Sequence, residues 1–188
     1  MKTKNDKKLV VEELLKITGK GVPGDVKKAL EKLSENGNLT IIPKLLNILI
    51  LETNADIKKM ISEFIANVQD PGIVDINMEF IKANEKPETI ISITPCIWNS
   101  KHDYSRYISD FVSLAVEGDY MMALESLTIM EQMNGPFDES WLLESQLFLK
   151  EYVEKPQRKD ERKDKILSDI AYFIKAQNNG IDADLLLE

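Results

Sequence analysis

The chain has 188 residues and a formal net charge of −8, with 43% hydrophobic and 30% charged residues. This composition is typical of a globular protein with a buried core and excludes an intrinsically disordered chain. Glycine and proline are sparse, and alternating strand patterns are nearly absent. We therefore expect an all-α fold whose helices are joined by short turns.

The sequence gives no sign of a membrane or an oxidising compartment. No apolar run approaches the roughly 18 residues that a membrane-spanning helix needs, and the basic N-terminal stretch turns acidic and amphipathic too early for a signal peptide. Cys96 is the single cysteine, which rules out an internal disulfide framework. We expect a cytoplasmic protein with no membrane partner.

Charge is spread unevenly along the chain. Residues 1–40 have a net charge of +3, residues 41–154 have 8 Lys and Arg against 19 Asp and Glu, and residues 155–188 are neutral. Carboxylates at this density repel phosphate, so we expect no nucleic acid partner. A basic or mixed-charge protein or peptide suits the acidic middle, although solvated helix faces would produce the same pattern.

Ten amphipathic segments follow one another at helical spacing. Their apolar residues fall within 9–17, 26–33, 41–51, 57–68, 73–81, 90–98, 104–115, 121–133, 141–153 and 166–174. The third segment is apolar almost all round, which predicts helices packed against it on several sides.

Individual residues indicate where these helices begin and end. Asp25 and Asp138 stand where the N-caps of the second and ninth helices belong. Pro95 lies inside the sixth segment, where we expect it to kink the helix or end it early. Residues 179–188 are predicted to be a C-terminal tail, and docking of its leucines on the last helix pair is left open.

The turns inside successive helix pairs recur at a nearly constant spacing. They fall at about Pro23, Asn54, Pro87, Asp119 and Pro156, which are 31, 33, 32 and 37 residues apart. Two helices in each period of this length are the signature of an α-helical solenoid, because one pair cannot bury its apolar faces without neighbours.

Residues 39–70 resemble one HEAT repeat. Pro43 stands early in the first helix, a polar turn follows, Asp56 and Ile57 open the second helix, and Asp70 begins an Asp-Pro step. The resemblance implies an α-α superhelix, a short solenoid of about five antiparallel helix pairs over residues 1–178. It also implies a binding role, and it transfers no catalytic residue. The tetratricopeptide repeat is the competing solenoid.

Chemistry-bearing residues are few. His102 is the only histidine, and with Asp103 and Cys96 it offers at most three ligands to a metal. The same spot is the only one where a nucleophile, a histidine and a carboxylate come near in sequence. We therefore predict no catalytic, cofactor-binding or metal-binding residues and no enzymatic activity.

The best candidates for partner binding lie in the stretch from Trp98 to Phe111. It contains residue types enriched at interface hot spots, and the candidates are Trp98, His102, Tyr104, Arg106 and Tyr107. The competing interpretation is that these aromatic residues fill the core around the Pro95 kink.

The resulting prediction is a non-enzymatic scaffold or adaptor that binds a protein or peptide, with a monomer slightly favoured. One alternative is a HEAT-like enzyme such as a DNA glycosylase, although the acidic middle has the wrong charge for DNA. The other is an acidic immunity-like or antitoxin-like protein that masks a basic enzyme.

Overall fold

A computed structural model describes residues 4–36, 38–84, 86–155 and 160–177. These residues form ten α-helices and no strand, which confirms the all-α prediction. The helices are α1 (Lys4–Lys20), α2 (Pro23–Asn36), α3 (Ile42–Leu51), α4 (Ala55–Ala66), α5 (Ile73–Lys82), α6 (Pro87–Trp98), α7 (Ile108–Glu117), α8 (Tyr120–Met130), α9 (Glu139–Glu154) and α10 (Glu161–Gln177). Short 3₁₀ turns at Leu39–Ile41 and Ser105–Tyr107 precede α3 and α7.

The first compact unit extends to His102 and contains three helix pairs. Each odd-numbered helix packs on the even-numbered helix that follows it. In addition, α3 packs on α1 and α5, and α4 packs on α2 and α6. First helices therefore form one layer and second helices form another, which is the packing order of a solenoid.

The second compact unit begins at Asp103 and repeats this order with two pairs. Helix α7 packs on α8, and α9 packs on α10. Neighbouring helices also pack within each layer, because α7 contacts α9 and α8 contacts α10. That residues 1–178 form one repeat domain stays a prediction.

The apolar third helix is covered on several sides, as its sequence predicts. Its side chains Ile42, Leu45, Leu46 and Leu49 are buried, and α1, α4, α5 and α6 all pack against it. The cover is incomplete at its end, because Leu51 is 79% exposed. An apolar residue in a sequence pattern therefore marks a core position only where a neighbouring helix reaches it.

Of the two N-caps that the sequence predicts, one is confirmed and one is wrong. Asp138 caps α9 as predicted, because its carboxylate accepts a hydrogen bond from the N–H of Ser140. Asp25 is not the N-cap of α2, because that helix already begins at Pro23. Proline suits the first helical position, where its missing N–H has no intrahelical partner. Asp25 lies in the first turn instead.

Helix α6 does not end at Pro95 but continues to Trp98. Proline cannot donate the hydrogen bond that the carbonyl of Ile91 would normally receive. The hydroxyl of Thr94 donates to that carbonyl at 2.9 Å. A neighbouring side chain therefore replaces the missing N–H. Of the two effects predicted for Pro95, the early end does not occur and the kink stays a prediction.

Two predictions lie outside the residues that the structure describes, namely the turn at Pro156 and the tail at 179–188. None of the helices in the described ranges is long and apolar enough to cross a membrane.

Candidate functional site

A groove of about 950 Å³ lies in the first unit, between the second helices α2 and α4. The 3₁₀ turn before α3 and the loop after α4 line one end of the groove, which we call the closed end. The lining residues are Lys27, Leu30, Glu31, Leu33, Ser34, Asn38, Leu39, Ile41, Ile42, Met60, Glu63, Phe64, Asn67, Val68, Gln69 and Asp70. The groove thus lies in the second-helix layer, between two consecutive pairs of the solenoid.

The floor and walls of the groove are apolar. Leu30 and Leu33 of α2 are buried beneath it. Met60 and Phe64 of α4 and Val68 after it are only half-buried, so part of each side chain faces the groove. Burial of these exposed parts by a ligand would release water from apolar surface, which favours binding.

The rim of the groove is polar and exposed. It has three carboxylates, Glu31, Glu63 and Asp70, against one ammonium group, that of Lys27. Three carboxamide side chains lie beside them, those of Asn38, Asn67 and Gln69. A carboxamide both donates and accepts hydrogen bonds, so it matches the N–H and C=O groups of a peptide main chain.

Side-chain hydrogen bonds fix the two loops at the closed end. The Asn38 side chain accepts a hydrogen bond from the Thr40 N–H at 3.0 Å, which caps the 3₁₀ turn. The Asp70 carboxylate accepts one from the Gly72 N–H, also at 3.0 Å. The Leu39 side chain lies close to Gly72. A Cβ added to Gly72 would be only 2.7 Å from the Cδ1 of Leu39. The closed end is therefore built before any ligand arrives.

His102 contacts the loop after α4. Its Nε2 lies 2.8 Å from the carbonyl oxygen of Val68, 34 residues earlier in the chain. A hydrogen bond at this distance ties the loop after α4 to the end of the unit. His102, which the sequence suggested as a partner-binding residue, thus touches the groove through Val68, which lines it.

The other four candidates have different surroundings. Trp98 is half-buried at the end of α6. Tyr104 is only 3% exposed, and its ring meets that of Phe111 edge to face at 6.5 Å. Arg106 is exposed, with its guanidinium 5.1 Å from the centre of the half-buried Tyr107 ring.

Trp98 and His102 belong to the first unit, and the other three candidates belong to the second. In the second unit, Asp103 and Ser105 hold the loop around Tyr104. Asp103 accepts hydrogen bonds from the Ser105 hydroxyl at 2.6 Å and from the Asn134 N–H at 3.3 Å. The Ser105 oxygen accepts one from the Gly135 N–H at 2.9 Å. These bonds give the stretch a structural function, and its binding role stays a prediction.

Cys96 is buried inside the first unit rather than exposed to a ligand. Burial raises the pKa of its thiol to about 12, so the thiol is neutral and unreactive near pH 7. Within the described ranges, no three His, Cys, Asp or Glu side chains lie together in a way that would hold a metal ion.

Sequence analysis placed Met60 and Phe64 in the fourth amphipathic segment but did not predict the groove. The signal was the width of the apolar face of α4. Ile57, Ile61 and Ile65 form one stripe, and all three are buried. Met60 and Phe64 form a second stripe beside it. A helix with two apolar stripes has more apolar surface than one neighbouring contact covers.

Comparison of the chain with family models, curated proteins and solved structures gives no significant match. The assignment of the candidate site therefore depends only on the geometry and chemistry of the residues that line the groove.

Proposed function

We propose that this protein is a non-enzymatic, cytoplasmic scaffold of HEAT-type repeats that binds a protein or peptide in the groove between α2 and α4. The observation that carries the proposal is the partly exposed apolar surface of Met60, Phe64 and Val68, which line the groove. Solenoids commonly bind along the face that their stacked helices create.

The lining suits a peptide segment with a large apolar side chain. That side chain would occupy the apolar floor, where its burial supplies most of the binding energy. The carboxamides of Asn67 and Gln69 each donate one hydrogen bond to a main-chain carbonyl of the protein. In this proposal their exposed oxygens accept hydrogen bonds from the N–H groups of the peptide main chain. Such a division between apolar anchor and polar rim is common in peptide recognition.

The charge of the rim favours a basic or mixed-charge ligand. Glu31, Glu63 and Asp70 outnumber Lys27, so a lysine or arginine beside the apolar anchor would find carboxylates nearby. The same carboxylates would repel phosphate groups, which disfavours a nucleic acid in this groove.

Selection from a displayed library of random peptides would test the proposal. We expect the wild-type protein to enrich peptides that share one large apolar residue with Lys or Arg beside it. The variant Phe64→Glu should lose these peptides, because it places a charge in the apolar floor of the groove.

Leu51→Glu is the matched control, because Leu51 is exposed in the same unit and does not line the groove. It should enrich the same peptides as the wild type. The proposal fails if Phe64→Glu, folded as judged by circular dichroism, retains the selected peptides with unchanged affinity.

A further inference from the structure

Helix α9 of the second unit has an exposed apolar pair on its outer side. Its buried residues are Leu142, Ser145 and Leu149. Leu143 and Leu147 lie two residues before and after Ser145, about 200° round the helix from it in either direction. Their exposed fractions are 43% and 60%. The pair thus occupies the middle of the face opposite the core.

This position is unusual for a solenoid. The outer face of a terminal pair is normally polar, because no further repeat covers it. Helices α9 and α10 form the last pair in the described part of the chain, yet this pair of leucines faces solvent. Two leucines four residues apart are about 6 Å apart along the helix, which is the spacing at which a second helix packs.

Carboxylates outnumber ammonium groups around the leucine pair, where Lys150 also lies, three residues after Leu147. Glu139, Leu143, Leu147 and Glu151 follow one another at intervals of four residues, so they form one row along the helix. Glu144 lies beside this row and is also exposed. The ion pair of Glu151 with Lys155, at 3.6 Å, joins two highly exposed side chains and is therefore weak.

The acidity extends over the whole second unit. Residues 103–188 have a net charge of −9, whereas residues 1–102 have a net charge of +1. A field of this sign attracts cationic partners and repels anionic ones.

From these observations we propose a second binding surface, formed by Leu143, Leu147, Glu139, Glu144 and Glu151, that docks a basic amphipathic helix of a partner protein. Apolar residues of the partner at i and i+4, or at i and i+3, pack on the two leucines. Lysines or arginines on either side of them face the three glutamates, as flanking charges do in paired helices.

Charge argues against two other occupants. A second copy of the chain would place α9 carboxylates against α9 carboxylates in a symmetric contact. The chain's own residues 179–188 include three leucines, but they also include Asp182, Asp184 and Glu188 and no cation. Like charges in contact disfavour both arrangements.

The test uses the full-length protein and three synthetic peptides of about 18 residues, long enough to form a helix on binding. One peptide contains leucine and lysine in an amphipathic helical pattern. The second has the same composition in scrambled order, and the third has glutamate in place of lysine. Fluorescence anisotropy measures the Kd of each. We expect the patterned lysine peptide to bind at least tenfold more tightly than the other two.

Two variants locate the binding on α9. Leu143→Gln with Leu147→Gln should raise the Kd of the patterned peptide about tenfold or more, because the apolar contact is lost. Glu139→Gln with Glu144→Gln should reduce the dependence of the Kd on salt. Leu51→Gln, which removes an exposed leucine of the first unit, should change neither value.

Three results would overturn the proposal. The first is equal binding of patterned and scrambled lysine peptides, which would mean unspecific attraction to an acidic surface. The second is an unchanged Kd in the double leucine variant, or no binding at all by the wild type. The third is self-association in sedimentation velocity that disappears in the Leu143→Gln, Leu147→Gln variant, which would assign the surface to a second copy of the chain.

Discussion

Lys163 shows how a charged side chain becomes part of a helical core. The residue is 9% exposed, and its ammonium group donates hydrogen bonds to the carbonyls of Val116 at 2.7 Å and Gly118 at 2.6 Å. These carbonyls end α7, where the helix dipole is negative. The ammonium group also lies 4.8 Å from the centre of the Tyr152 ring. Lys163 of α10 therefore caps α7 from a neighbouring pair of helices.

We predict that Lys163→Met destabilises the protein by about 2 kcal/mol, because methionine keeps the stem but leaves two part-buried carbonyls without their charged donor. Urea denaturation of both proteins measures the difference. Lys165→Met, an exposed change on the same helix, is the control and should alter stability by less than about 0.5 kcal/mol. Equal stability of the two variants would show that the cap contributes nothing.

Cys96 makes stability depend on pH in the alkaline range. Burial raises the pKa of its thiol from 9.0 to about 12, whereas the unfolded chain ionises it near the ordinary value. The unfolded state therefore has fewer bound protons between these values, and the free energy of unfolding falls as pH rises through this window.

We predict that Cys96→Ala flattens the decline of the unfolding free energy between pH 9 and 11. The wild type should lose up to about 1.4 kcal/mol per pH unit more than the variant in this range. Urea denaturation at several pH values gives both slopes. Other alkaline titrations, such as that of Tyr152, are common to both proteins, so parallel slopes would contradict the prediction.

At the scale of one element, α6 shows that a proline inside a helical pattern need not end the helix. The hydroxyl of Thr94 supplies the hydrogen bond to Ile91 that Pro95 lacks. The sequence placed both residues correctly on a helix, but the local pattern alone does not indicate which side chain serves the orphaned carbonyl. Which group donates to this carbonyl depends on the rotamer of Thr94, which is buried.

A double-mutant cycle tests this replacement. Thr94→Val should destabilise the protein by about 1 kcal/mol, because it removes the hydroxyl that donates to the part-buried carbonyl of Ile91. In a Pro95→Ala background the same change should have a smaller effect, because the introduced alanine supplies its own N–H. Thermal unfolding of the four proteins gives the coupling free energy. If Thr94→Val has an effect of equal size in both backgrounds, the Thr94 hydroxyl does not replace the N–H that Pro95 lacks.

The fold class follows from the sequence at the element scale because periodicity and turn residues agree. Apolar residues at helical spacing predicted the ten helices of the described residues, and Asp138 was correctly predicted as the N-cap of α9, whereas Asp25 is not the N-cap of α2. The α2–α4 groove could not be predicted in the same way. Its existence depends on how far apart two second helices lie at their ends, and no pattern within one helix contains that distance.

The whole molecule combines two units of different charge. A net charge of −9 on residues 103–188 produces repulsion within that unit, and the first unit with +1 has little. The sequence located the acidic region only broadly, over residues 41–154. The structural division narrows it to the second unit, where Glu139, Glu144 and Glu151 lie on one helix.

We predict that salt stabilises the second unit more than the first. Raising the ionic strength from about 0.01 M to about 0.1 M shortens the screening length from about 30 Å to about 10 Å, which weakens repulsion between like charges. Amide hydrogen exchange should then slow more in α7–α9 than in α3–α6. An equal change in both sets of helices would mean that the charge difference has no effect on local stability.

The contact between His102 and Val68 has a consequence for the order in which the molecule is made. All residues that line the groove have been synthesised once the chain reaches Asp70. The hydrogen bond that supports its rim must wait for residue 102 and therefore for the whole third pair of helices. A nascent chain can thus contain every groove residue and still lack a supported rim. The hydrogen bond between His102 and Val68 can form only after α5 and α6 have been synthesised.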